Sequence, residues 1–99
     1  MSTGFIKPFK PQALTVTLNA TTSSSSAAVP AYSEQIRVHN AGTAVAFMRW
    51  GVGATNAVLT DMPIAAGGTE IFTKDAADTV AVITLAGTAT VYVTPGAGE

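Results

Sequence analysis

The chain has 99 residues and a mass of 10.0 kDa, which is enough for one small domain with a single core and excludes a multidomain enzyme. Charged residues make up 11% of the sequence and the formal net charge is −1, so no basic field favours nucleic acid. Cysteine is absent, which excludes disulfides and zinc–thiolate sites. No apolar run is long enough for a signal-peptide core or a membrane span. We therefore expect a soluble protein, made in the cytoplasm, that binds neither nucleic acid nor membranes.

Residues 1–12 are predicted to form an extended N-terminal arm. Pro8 and Pro11 fix φ near −65° and favour extended backbone before them, so a helix is disfavoured. The arm also combines aromatic, aliphatic and basic side chains without an acidic residue. Its apolar side chains, Phe5, Ile6 and Phe9, need a surface to pack against.

Residues 13–99 are predicted to form a single β-sandwich domain. In chain order, residues 13–19 alternate apolar and polar side chains with a period of two, which indicates a strand with one buried face. Residues 21–26 are predicted to be a loop or a solvated strand end. Residues 34–40 and 44–50 are two further strands, and the Asn40-to-Thr43 turn between them predicts a hairpin.

The second half of the domain continues the same pattern. Residues 54–60 are ambiguous between loop and strand, residues 61–68 form a turn, and residues 69–73 form a strand. A charged turn at 74–78 precedes two β-branched strands, 79–85 and 89–94, which are predicted to form a second hairpin before a frayed tail. The predicted core residues are Leu14, Val16, Leu18, Ile36, Val38, Val45, Phe47, Ile71, Val80, Val82, Val91 and Val93. Six or seven short strands without a helical period predict an all-β fold, either a small antiparallel β-sandwich or a small barrel, and we predict the sandwich.

The polar residues do not predict a catalytic or metal centre. The six carboxylates are dispersed along the chain, and His39 is the only histidine, so no nucleophile and base can be paired from the sequence. We expect no enzyme activity, no cofactor and no metal. Trp50 beside Arg49 could form a stacking platform for a sugar, although one tryptophan without a second aromatic nearby is more typical of a core or interface position.

Low charge density leaves sheet edges and faces that a monomer would normally protect with lysine. With 47% hydrophobic residues, the composition indicates a subunit of an assembly, in which neighbours cover these surfaces. A threonine-rich soluble monomer is the alternative.

Three segments, residues 36–51, 61–72 and 87–98, resemble small virion proteins of tailed phages and prophages, in particular head decoration or cement proteins. This resemblance implies a jelly-roll or immunoglobulin-like sandwich that forms dimers or trimers on the capsid exterior. It also implies that the major capsid protein is the partner and that the protein stabilises the mature lattice. The residues that the resemblance then implies at the capsid or subunit interface are Phe5, Ile6, Lys7, Pro8, Phe9, Lys10, Arg49 and Trp50.

Two other functions remain open at this point. The same threonine-rich β composition is compatible with a tail, baseplate or fibre component. A carbohydrate-binding β-sandwich that uses Trp50 and Arg49 is the alternative from a different class.

Overall fold

The computed structural model describes residues 9–98, which form nine strands and contain no helix long and apolar enough to cross a membrane. Two antiparallel sheets pack face to face, and 53% of the described residues are in strands, which confirms the predicted all-β sandwich. The strands are β1 (Phe9–Pro11), β2 (Val16–Ala20), β3 (Ser25–Ala28), β4 (Gln35–Asn40), β5 (Ala46–Gly51), β6 (Met62–Ile64), β7 (Thr69–Thr73), β8 (Thr79–Thr84) and β9 (Ala89–Gly98).

The first sheet, called sheet A, has five strands. It runs from β1 through β9 and β4 to β7, and β2 also pairs with β9. β2 lies opposite residues 89–93 and β1 opposite residues 96–98, so both follow one edge of the long last strand. The second sheet, sheet B, has the order β3, β8, β5, β6.

The core lies between the sheets and consists of aliphatic residues contributed by both. The buried cluster contains Leu18, Ala20, Val29, Ile36, Val38, Ala46, Met48, Ile64, Val80, Val82, Ala89, Val91 and Val93. Val16, Ala27, Trp50 and Phe72 are partly buried against it. The core positions predicted in strands β4, β8 and β9 are therefore confirmed.

Four residues that were predicted to lie in the core are not part of the buried cluster. They are Leu14, Val45, Phe47 and Ile71. Leu14 is 90% exposed, because the regular strand begins at Val16 and the alternation does not extend back to it. In β5 the inward set is Ala46, Met48 and Trp50, so Val45 and Phe47 face outward. Ile71 is half exposed for the same reason, since Phe72 is the residue of β7 that packs inward. When both alternate sets of a strand are apolar, periodicity alone does not say which set is inside.

Both predicted hairpins are also wrong. β4 and β5 are consecutive strands but lie in different sheets, and the same is true of β8 and β9. The short connections cross from one sheet to the other as arches. Each strand then pairs with partners far away in sequence, such as β4 with β7 and β9.

The buried side chain of Asn40 explains why the first connection is an arch. Its Nδ2 donates to the carbonyls of Ala44 at 2.9 Å and Ile64 at 3.0 Å, and its Oδ1 accepts from the Gly42 amide at 3.0 Å. These bonds tie the end of β4 to sheet B. A Cβ at Gly42 would overlap Ala89, so glycine also allows the two arches to pack against each other.

The second arch, between β8 and β9, is held by Thr84 and Gly87. The buried Thr84 hydroxyl donates to the Gly87 carbonyl at 2.8 Å, and Gly87 has a φ of 76°, which favours glycine. The Ala41 amide donates to Thr90 at 2.8 Å and so links the first arch to the start of β9. Both arches therefore lie at the same end of the sandwich.

Several boundaries differ from the predicted ones. Residues 25–28 are a strand paired with β8, residues 54–60 contain no strand, and residues 62–64 form the short β6 inside a predicted turn. The predicted tail belongs to β9, where Pro95 and Gly96 are buried.

The charged turn at the opposite end of the sandwich encloses a buried lysine. Lys74 is 3% exposed, and its ammonium donates to the carbonyls of Ala77 at 2.6 Å and Pro30 at 2.9 Å. Burial lowers the pKa of Lys74, although Asp78 and Asp75 nearby oppose the shift. The ammonium therefore fastens the turn to the loop that precedes β4.

Candidate interaction surfaces

The outer face of sheet B carries a compact apolar surface. Phe47 lies between Ile83 on β8 and Pro63 on β6, and Val45 and Leu85 extend this row beyond the strand ends. Leu85 is 70% exposed and Val45 is 43% exposed. We call these five residues the Phe47 patch. Exposed apolar residues that are contiguous in this way are typical of protein contact sites.

One ion pair bounds the Phe47 patch on the same face. Arg49 donates to Oδ1 of Asp61 from Nη2 at 2.8 Å and from Nε at 3.0 Å, and Oδ2 accepts from the Val58 amide at 2.7 Å. Burial acts to raise the pKa of Asp61, but the Val58 amide and the Arg49 guanidinium outweigh it and lower the pKa below 3.8. Arg49 therefore fastens the loop that leads into β6 and is half exposed beside the patch.

Trp50 does not share this face. Side chains alternate along a strand, so Trp50 points into the sandwich, where its ring lies 5.0 Å from that of Phe72. Arg49 and Trp50 still line one shallow groove at the edge of sheet B, together with Asp61 and Met62, but the Trp50 ring packs against Phe72.

The candidate residues of the arm are divided by the boundary of the described residues. Phe5, Ile6, Lys7 and Pro8 lie outside the described range, and their predicted interface role stays a prediction. Phe9 and Lys10 belong to β1, opposite Gly98 and Ala97. The Phe9 ring and the Lys10 carbonyl occupy the space that a Cβ at Gly96 would need. Residues 9–11 thus belong to sheet A of the sandwich itself.

The outer face of sheet A has a different chemistry. Arg37 lies at its centre, between a groove lined by Phe9, Pro11 and Leu14 and a groove lined by His39 and Tyr92. The rings of His39 and Tyr92 stack at 6.4 Å, and His39 Nδ1 lies 2.7 Å from the Thr69 hydroxyl. Thr15, Thr69 and Thr94 also line these two grooves.

Among residues 9–98, no carboxylate lies within salt-bridge distance of Arg37, and no three acidic or histidine side chains cluster as metal ligands would. Comparisons with protein-family models, with curated proteins and with solved structures found no match to this chain.

The sequence alone does not reveal the Phe47 patch, because its alternation predicts Val45 and Phe47 as core residues. Arg49 is the signal in the sequence that points to this patch, because residues 45, 47 and 49 lie on the same face of a strand. An arginine two residues from Phe47 marks the solvent side of the strand, because charged side chains are almost never fully buried without a partner.

Proposed function

We propose that this protein is a structural virion component, a decoration or cement protein that binds the outer surface of a tailed-phage head. The observation that carries the proposal is the Phe47 patch, an exposed apolar surface on a two-sheet scaffold. The resemblance of residues 36–51, 61–72 and 87–98 to such proteins supports the same function. The expected partner is the major capsid protein, and the expected location is the capsid exterior.

The physical role of such a protein follows from binding linkage. A protein that binds the assembled lattice but not its separated subunits stabilises the lattice by its binding free energy, summed over all copies. Stabilisation of this kind needs a preformed surface and no chemical step. The apolar rows of sheet B provide that surface, because their backbone is fixed by pairing on both sides of β5.

Counting copies in purified virions tests this function and separates it from a tail role. We expect mass spectrometry to give a ratio of this chain to the major capsid protein between about one-third and one, as a symmetric lattice requires. A ratio of roughly one per hundred would instead support a tail, baseplate or fibre component. Absence from particles would overturn the virion assignment.

A matched pair of leucines tests which face binds the head. Leu85 lies in the Phe47 patch and is 70% exposed, whereas Leu14 is 90% exposed beside sheet A. We expect Leu85→Asp to weaken head binding at least about tenfold, because it places a charge in an apolar interface. Leu14→Asp lies outside the Phe47 patch and should weaken binding much less. Loss of binding in Leu14→Asp alone would assign the contact to the side of the arm.

The arm is tested by deletion of residues 2–8. Deletion as far as residue 11 would also remove β1 and its pairing with β9, so it would change the fold and the arm together. If the arm contributes to the contact as predicted, the shorter deletion weakens head binding and leaves the unfolding free energy unchanged. Unchanged head occupancy would contradict a role for residues 5–8.

A further inference from the structure

β7 is the exposed edge strand of sheet A. It pairs with β4 on one side, and no other strand formed by residues 9–98 pairs with it on the other. Its five residues include neither lysine nor proline, the residues that commonly protect such edges.

The hydrogen-bond pattern shows which groups this edge presents. The backbone N–H of Asn40 donates to the Gly68 carbonyl, and the backbone N–H of Lys74 donates to the Glu34 carbonyl. Between these two bonds, every second residue from Gly68 to Lys74 is hydrogen-bonded to β4. In an antiparallel ladder every second residue bonds to the neighbouring strand. Glu70 and Phe72 therefore bond to β4, whereas Thr69, Ile71 and Thr73 direct their backbone N–H and C=O groups outward.

We propose that β7 is a dimerisation edge, at which two copies of this chain pair antiparallel about a twofold axis through Ile71. In this register Ile71 faces Ile71 of the second copy, and Thr69 faces Thr73. All the outward backbone groups of β7 find partners, since each facing pair of this type exchanges two hydrogen bonds. The two copies of sheet A become one continuous sheet.

The side chains of β7 suit this register. Glu70 faces Phe72 of the second copy and not another Glu70, so like charges are not opposed. Ile71 is 50% exposed, and pairing would bury its side chain against its counterpart on the axis. A contact that uses the same patch on both copies is the usual form of a closed dimer.

Other edges are less suited to this pairing. β6 has three residues and contains Pro63, which lacks an N–H. β1 contains Lys10 and Pro11, and the Asn19 carbonyl of β2 accepts a bond from the Ser25 hydroxyl at 3.1 Å. β3 contains only serine and alanine and gains little apolar burial from pairing. The dimer agrees with the dimers or trimers that the resemblance to decoration proteins implies. The argument for it rests on β7 alone, which belongs to the sheet that does not carry the Phe47 patch.

Sedimentation equilibrium of the full chain, from micromolar to millimolar concentration, tests the dimer. We expect wild type to dimerise, and Ile71→Lys to raise the dissociation constant at least about tenfold, because two ammonium groups would meet on the axis. The matched control is Thr17→Lys, an exposed position on the opposite edge of the same sheet. A monomeric wild type, or a dimer insensitive to Ile71→Lys, would overturn the proposal.

Cysteine cross-linking tests the register, since the chain has no cysteine of its own. Facing residues of a bonded pair have Cα atoms about 5.5 Å apart, within the range that a disulfide spans. We expect Ile71→Cys to oxidise to a covalent dimer. Thr69→Cys and Thr73→Cys should each cross-link poorly alone but form a mixed dimer together. If Thr69→Cys alone cross-linked as efficiently as Ile71→Cys, this register would be refuted.

Discussion

The outer faces of the two sheets are built on the same strand geometry but have opposite chemistry. Sheet A presents Arg37, His39 and Tyr92 among threonines, whereas sheet B presents the Phe47 patch with its charge paired at the margin. A polar face and an apolar face thus cover one shared core. The comparison teaches that the sequence pattern predicts a β-sandwich but does not show which apolar residues lie in its core and which lie on its surface.

The largest effect that tests this comparison is on stability, at two neighbouring residues of β5. Met48 is fully buried and faces the core, so Met48→Ala should lower the unfolding free energy by about 2–5 kcal/mol. Phe47 faces outward, and Phe47→Ala should cost about 1 kcal/mol because less apolar surface is lost. Urea denaturation of both variants measures the difference. Equal losses would mean that Phe47 is a core residue and that the outer face of sheet B is not a free contact surface.

The next effect concerns the arch that assigns β4 and β5 to different sheets. Asn40→Ala leaves the carbonyls of Ala44 and Ile64 and the Gly42 amide without their partner, which should cost about 3 kcal/mol. Asn19→Ala is the control, because Asn19 is exposed on β2 and its side chain makes no hydrogen bond within residues 9–98. Denaturation midpoints measure both variants. A loss in Asn40→Ala no greater than in Asn19→Ala would contradict the role of the buried amide.

The smallest effect is the pH dependence of the ion pair beside the Phe47 patch. Because the pKa of Asp61 is lowered from 3.8 on folding, its contribution is complete above that pH and is lost as the pH falls through the lowered value. Asp61→Asn should therefore lower stability at neutral pH by about 1 kcal/mol or less, and the difference from wild type should shrink in acid. Thermal unfolding between pH 7 and pH 2 measures this trend.

Glu34→Gln is the control for that experiment, since Glu34 is exposed and its carboxylate accepts no hydrogen bond within residues 9–98. A constant difference between wild type and Asp61→Asn across the acid range would show that the carboxylate charge does not stabilise the loop before β6.

The candidate surfaces were only partly predictable. The sequence predicts Arg49 and Trp50 as interface residues. In the structure Arg49 lies next to the Phe47 patch, whereas Trp50 packs against the core. The sequence does not show that β7 is an edge strand, because the residues of a strand do not indicate which strands lie beside it. Thr69–Thr73 was predicted as a strand with the bounds that the structure has.

The sequence by itself determined the all-β class and the approximate position of most strands, because the alternation of side chains and the turn residues are local properties. It also determined the inward residues of β4, where Arg37 and His39 mark the polar side. Tertiary structure alone decided that β4 and β5 are in different sheets, that β8 and β9 do not pair, and that Leu14 is outside the core. The physical reason is that strand partners are selected by contacts between distant parts of the chain, such as the Asn40 amide with the Ile64 carbonyl, which no local pattern records.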